Sequence, residues 1–445
     1  MWLVVLLVLA IAFIILATAR LKLHPFLALL VTAFGFGILA GMPLDEVVTS
    51  VNAGFGGTIG YIGIVILFGA IIGVFLEKSG GAWRLAEGML KVTGKKNVPL
   101  TMSIMGYVVS IPVFCDSGFV ILSALNKALC KRAGISLAAG AIALSLGLYA
   151  THTMVPPTPG PIAAAGILGA DLGLVILWGG LIAAVALVAG WLFAVLVAAK
   201  TPIEPYAEGE EPAALPSTVD APAPAKTLLP ILVPIVLIVL RSIALFPTQP
   251  LGDGPFLTVI GFLGQPVVAL GIGVVLALFL PKTLDRAMLS GSGWVGEAIL
   301  AAATIIIITG AGGAFGKVLQ NSGIAAVVGD SLASWRLGIV LPFLVAAGIK
   351  TAQGSSTVSI ITTAGLMAPL LVPLGLDSET AKALVVVAIG AGAMVVSHAN
   401  DSYFWVVTQF SNMEPKTGFK LQTVGTLVQG TVAALGVWIV SLFIL

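Results

Sequence analysis

Apolar stretches of roughly 17 to 25 residues recur along the whole chain, the length that a bilayer core about 30 Å thick demands of a helix. Of the 445 residues, 59% are hydrophobic and only 9% charged, against about 25% charged in soluble domains. The membrane is therefore the solvent. A formal net charge of +2 is too small to suggest nucleic acid, and Lys and Arg fall at the ends of apolar runs, where they anchor helices to headgroups. Cys115 and Cys130 are the only cysteines, and both fall in one expected hairpin in or near the bilayer. That argues against a disulfide and a Cys-ligated metal. No basic residue precedes the first apolar run, while Arg20 and Lys22 follow it. Residues 2–18 accordingly read as a first span with its N-terminus outside rather than a cleaved leader.

The fold expected is all-α and polytopic, in two repeats. The first, 1–200, has spans at 2–18, 23–42, 58–76, 135–170 with an interruption, and 172–199. The second, 227–445, has spans at 227–246, 256–280, 295–319, 380–410 with an interruption, and 421–445. Between them residues 201–226, dense in Pro, Ala and Glu, read as an extended linker. Two further apolar segments, 98–113 and 337–349, would extend only about 24 Å and 20 Å as helices. Each ends in a polar cluster and is followed by a second apolar arm. Down, polar tip and back is the economical reading, because bare polar backbone survives at membrane depth only inside protein or beside a cavity. These are re-entrant hairpins, at 98–130 and 337–374.

A hairpin adds no net crossing, so each half crosses an odd number of times and the second must run opposite to the first. Most basic residues, from Arg20 and Lys22 through Lys131, Arg132 and Lys200 to Lys416 and Lys420, then share one side. Arg241, Lys317, Arg336, Lys350 and Lys382 fall on the other side or within the membrane toward it. The richer side is cytoplasmic, which puts the linker in the cytoplasm and both termini outside. Inverted repeats are also traced by Gly73–Gly80, which parallels Gly316–Gly323, and by a His-containing break in each half.

Four polar clusters interrupt the apolar segments: Cys115-Asp116-Ser117-Gly118; Thr151-His152-Thr153 leading to Pro156–Pro161; Gln353-Gly354-Ser355-Ser356-Thr357; and Ser397-His398-Ala399-Asn400-Asp401-Ser402. Each frees amide N–H groups and carbonyls at depth. Helix N-termini there suit an anion, and carbonyls and hydroxyls suit a cation or solute hydroxyls. The chemistry implied is recognition. Asp116 is the sharpest candidate, since a carboxylate in a dry tip must be paired or carry a proton; capping the arm from Phe119 is the bland alternative. Asp401 faces the same choice, with the helix from Tyr403 to cap. His152 and His398 sit in matching breaks and either handle solute or protons or are satisfied by backbone carbonyls. Lys350, one turn before the second tip, would offer charge to an anionic solute or pair with Asp116 or Asp401. His24, beside Pro25, reads as interfacial.

At these clusters the chain resembles the gluconate:proton symporter family, which includes carriers of related sugar acids and of D-serine. The resemblance rests on Val113–Phe119, His152-Thr153 with Pro156–Pro161, Ala352–Thr357 and Ser397–Ser402. It implies a bacterial inner-membrane secondary transporter, a homodimer working by an elevator motion, and no resident cofactor. The expected solute is gluconate or a related hydroxy acid, its carboxylate held by helix N-termini and its hydroxyls by Asn400, Ser355, Thr357 and Thr153. Asp116, His152, His398 or Asp401 would carry the coupling proton. Sodium coupling, a D-serine substrate and an intramembrane hydrolase stay open as alternatives. The last lacks a His-Glu-x-x-His motif or an evident nucleophile.

Overall fold

Proline and short polar residues set where the helices begin. Pro25, Pro159, Pro255 and Pro266 each stand at the first turn of a helix, where a missing N–H costs nothing. Ser136, Asp171 and Ser378 cap others through their side-chain oxygens. The computed structural model describes residues 2–81, 84, 97–111, 113–206, 221–244, 254–324, 337–398 and 401–445. The side chains of Ile15, Ala19, Ile62, Ser117 and Gln353 lie outside that description. Residues 207–220 of the expected linker lie outside it too.

Among the described residues the structure is helical throughout. The first half holds α1 (Trp2–Ala19), α2 (Pro25–Leu39), α3 (Leu44–Lys78), a hairpin of α4 (Val98–Val109) and α5 (Cys115–Ala133), a broken helix of α6 (Leu137–Met154) and α7 (Pro159–Leu168), and α8 (Leu172–Leu196). The second repeats that order. It holds α9 (Pro224–Ala244), α10 (Pro255–Leu263), α11 (Pro266–Leu278), α12 (Trp294–Asn321), a hairpin of α13 (Val340–Gln353) and α14 (Ser356–Met367), and a broken helix of α15 (Glu379–Ala393) and α16 (Ser402–Phe410). Short α17 (Pro415–Gly418) leads into α18 (Val424–Ile444). Five helical stretches among the described residues are long and apolar enough to cross a membrane, or up to seven if each of two bent pairs is one span. The first arm of the first hairpin and both arms of the second are too short to cross, and α1 and α2 are also short.

Two spans differ from the sequence reading. The third starts at Leu44, not near residue 58. Thr49, Ser50 and Asn52 depress the hydropathy there, yet Asp45 and Glu46 stand in the first turn, where the helix dipole favours acids. The span read as continuous over 256–280 is instead bent by 65° between α10 and α11. Pro266 follows Gly264 and Gln265, and the residue before a proline is driven out of the helical region.

The halves interlock around α6, all of whose residues are buried. A helix apolar on every face belongs inside a large protein rather than against lipid on one side. α4, α5 and α8 pack on it from the first half. Ser103 donates to the Ala143 carbonyl at 3.1 Å and Thr151 to that of Tyr107 at 3.0 Å, tying α4 to α6. From the second half, Gln429 on α18 donates to the Leu146 carbonyl at 2.8 Å. α3 and α12 pack extensively on one another, joined at one end by a Lys78–Glu297 ion pair of 3.1 Å. Both end on Ser-Gly, with Gly80 and Gly323 at φ of 73° and 74°. The sequence parallel therefore marks equivalent helix ends. α14 lies between α12 and α7.

Candidate functional site

Three helices start at one place. α5 begins at Cys115, α14 at Ser356 and α16 at Ser402, and all three residues line a single cavity of about 230 Å³. Asp116, Tyr149 and His152 complete the wall from the first half, and Gly354, Ser355, Thr357, Asp401 and Tyr403 from the second. The two hairpin tips and the second helix break thus meet; the first break falls at 155–158 and not at 151–153 as the sequence suggested, and His152 reaches the cavity from the last turn of α6 ahead of it. N-terminal turns present unpaired N–H groups and the positive end of the helix dipole, so three such ends favour an anion in this space.

Each tip has its own local cause. In the second, Gly354 adopts φ of 91°, a left-handed conformation that costs glycine little, and stops α13. Ser355 then caps α14, its hydroxyl accepting from the Val358 N–H at 3.3 Å. In the first, Phe114 occupies the cap position of α5 with no side-chain hydrogen bond. Asp116 lies inside the first turn and not at the cap position. Its Oδ2 lies 3.8 Å from the Cys115 thiol. Its Oδ1 is buried without a hydrogen-bond partner among the described residues, and so is Nδ1 of His152. Buried polar atoms are nearly always satisfied, so both are atoms with capacity for a proton or a solute.

Asp401 is the opposite case. It caps α16 by accepting from the Tyr403 N–H at 3.1 Å through Oδ1. Its Oδ2 takes Lys350 Nζ at 2.6 Å, the Ser397 hydroxyl at 2.6 Å and the Tyr149 hydroxyl at 3.3 Å. Lys350 is completely buried, also donates to the Gly354 carbonyl, and stands 5.9 Å from the centre of the Tyr149 ring. Of the two partners the sequence offered for Lys350, the structure selects Asp401. Tyr149 further lies 2.6 Å, hydroxyl to hydroxyl, from Ser356 and stacks parallel to the His152 ring at 6.4 Å.

Of the residues singled out from sequence, Asp116, His152, Gly354, Ser355, Ser356, Thr357 and Asp401 line the cavity. Thr153 does not; it donates to the Tyr149 carbonyl within its own helix at 3.2 Å. His398 meets the Thr351 carbonyl at 2.8 Å through Nε2 and lies outside the lining. Gly118 sits on α5, where a β-carbon would strike Leu148. Asn400, and the side chains of Ser117 and Gln353, lie outside the described residues. Tyr149 and Tyr403 are the lining residues that sequence reasoning passed over. The chain has only five tyrosines, and two of them lie within a turn of the two His-containing polar clusters. That was the available signal. His24 caps α2, its Nδ1 accepting from the Phe26 N–H at 3.3 Å. No group of three or more His, Cys, Asp or Glu suited to a metal occurs among the described residues.

The model of the GntP family permeases matches residues 2–443. The chain belongs to that family. The permease is 37% identical over 434 residues to a gluconate permease of Pseudomonas aeruginosa, covering 95% of this chain and 94% of the relative. It is 32% identical to the D-serine transporter DsdX of Escherichia coli K12, over 100% of this chain and 99% of the relative. Among solved structures, MtrF of Neisseria gonorrhoeae, described with a class of antimetabolite efflux pumps, superposes with a TM-score of 0.68 over 95% of this chain and 96% of that one. At 14% identity that likeness speaks for the fold alone. The permease is thus a membrane transporter and not an enzyme, with the broken helices and apolar spans of a transport fold.

Proposed function

We propose that this permease couples inward proton movement to uptake of a small hydroxy acid, gluconate in the first instance, bound between the two hairpin tips. The observation that carries the reading is the convergence of three helix N-termini on one polar cavity. They would hold the solute carboxylate, while Ser355, Thr357, Tyr149 and Ser402 offer hydroxyls to the polyol. Asn400, read from the sequence, joins them in this proposal. Asp401 is already committed to Lys350, which leaves Asp116, with an open carboxylate oxygen, as the proton carrier, and His152 as its neighbour across the cavity. With Asp116 protonated, the anion meets no second negative charge there; releasing the proton inside returns the repulsion and expels the solute.

The two halves, 1–200 and 227–445, act in this reading as inverted repeats in a bacterial inner membrane, with the linker 201–226 in the cytoplasm and both termini periplasmic. The hairpins and broken helices form the body that moves as an elevator, α3 and α12 belong to the scaffold, and the carrier is a homodimer. D-serine is the second reading. The DsdX relative supports it, and a cavity with its own carboxylate suits a zwitterion.

Uptake into proteoliposomes with an imposed pH gradient tests the assignment. Wild type should concentrate gluconate, and Asp116→Asn should only equilibrate it while still exchanging labelled for unlabelled solute. Accumulation by Asp116→Asn would remove Asp116 as the carrier. Thermal-shift competition between gluconate and D-serine separates the substrates, because a specific ligand stabilises the native state by mass action.

A further inference from the structure

The environment of Lys350 is built like a cation site. Around its Nζ stand the Asp401 carboxylate at 2.6 Å and the carbonyl of Gly354 at a hairpin tip. The hydroxyls of Ser397 and Tyr149 meet the same carboxylate oxygen at 2.6 and 3.3 Å. Carboxylate and tip carbonyl oxygens are what a hard cation takes from a protein, while the two hydroxyls hold the carboxylate in place by donating to it. Here the ammonium of the chain itself fills the position. Lys350 is completely buried and absent from the cavity wall, whereas Asp401 is part of it. Lys350 therefore acts behind the carboxylate and not on the solute.

We infer that Lys350 is a tethered cation. It occupies the place a dissociable coupling ion would take, neutralises Asp401 toward the anionic solute, and so makes binding independent of sodium. This deepens the function proposed above, since it decides between the coupling ions. The other groups facing the pair are Asp116, Cys115, His152 and Tyr403 across the cavity, with His398 held by Thr351 on the same arm. Without Lys350, Asp401 would confront the solute as a bare charge. Two unit charges about 6 Å apart at an effective dielectric near 20 repel enough to cost roughly a hundredfold in affinity.

The test uses the purified full-length permease in two arms. In the first, melting temperature is followed while sodium replaces N-methylglucamine, and while methylammonium is added. Wild type should respond to neither. Lys350→Ala, with room where the ammonium stood, should gain stability with methylammonium or sodium, and Lys350→Ala with Asp401→Asn should lose that response because no charge is left to neutralise. In the second, labelled gluconate should bind Lys350→Ala about a hundredfold more weakly than wild type, with part of the loss restored by methylammonium. A sodium requirement in wild type, or a Lys350→Ala protein that responds to these cations no more than wild type, overturns the inference. Should Lys350→Ala not fold, sodium replacement in wild type and the double variant decide it. Wild type that ignores gluconate would overturn the substrate reading and leave the melting arm to judge Lys350 by itself.

Discussion

Asp401→Ala is expected to destabilise the permease by roughly 3–5 kcal/mol, the usual cost of removing one partner from a buried ion pair. Lys350 is 0% exposed, and the substitution removes the carboxylate to which it donates. Losing the hydrogen bond that caps α16 adds about 1 kcal/mol. Set against total stabilities of about 5–15 kcal/mol, this is a large share of the margin. Asp401→Asn should cost less, because the amide oxygen still reaches the Tyr403 N–H. The decisive comparison is Asp401→Ala with Lys350→Leu. With both charges gone it should be more stable than Asp401→Ala alone, since an apolar pair can replace a buried ionic one without penalty. Denaturant melts in nanodiscs check this. An Asp401→Ala protein within about 1 kcal/mol of wild type would mean that the pair is solvated or already dispensable.

The second large effect concerns rate and not stability. α12 and α14 touch through backbone: a β-carbon at Gly365 would stand 2.8 Å from the Gly312 carbonyl oxygen, and one at Gly316 3.1 Å from that of Gly365. In the proposed elevator α14 travels and α12 stays, so this is a surface along which one body passes the other. Gly365→Leu should leave gluconate affinity within about threefold of wild type yet slow uptake roughly ten- to a hundredfold, because an overpacking penalty of about 1–3 kcal/mol falls on the passage between states. Thermal-shift affinity and initial uptake rate are the two readings. A parallel loss of both would make Gly365 a packing residue and nothing more.

Much of this arrangement was legible in the sequence because bilayer thickness is a ruler. The apolar segments 98–113 and 337–349 are too short to cross, and together with the polar cluster and second arm that follow each they argued for hairpins. Polar clusters marked the tips and breaks because nothing else in so apolar a chain tolerates them. Hydropathy failed where polarity and helicity part company: Thr49, Ser50 and Asn52 hid the first turns of α3, and the Gly264-Gln265-Pro266 corner was too short to dent a run of apolar residues. Asp116 could be read as a helix cap or a proton carrier, and the cap position, held by Phe114, could not be placed from the sequence. Tyr149 was invisible for a different reason. An aromatic residue in an apolar helix looks like core, and the hydroxyl it meets on Ser356 is 207 positions away in sequence.

That separation bears on how the molecule is made. Tyr149 enters the bilayer early in synthesis, long before Ser356, Lys350 and Asp401 leave the ribosome. A nascent chain halted between the halves carries Asp116 and His152 without Ser356 and Asp401, which complete the cavity wall, so the site closes only once both halves have been made.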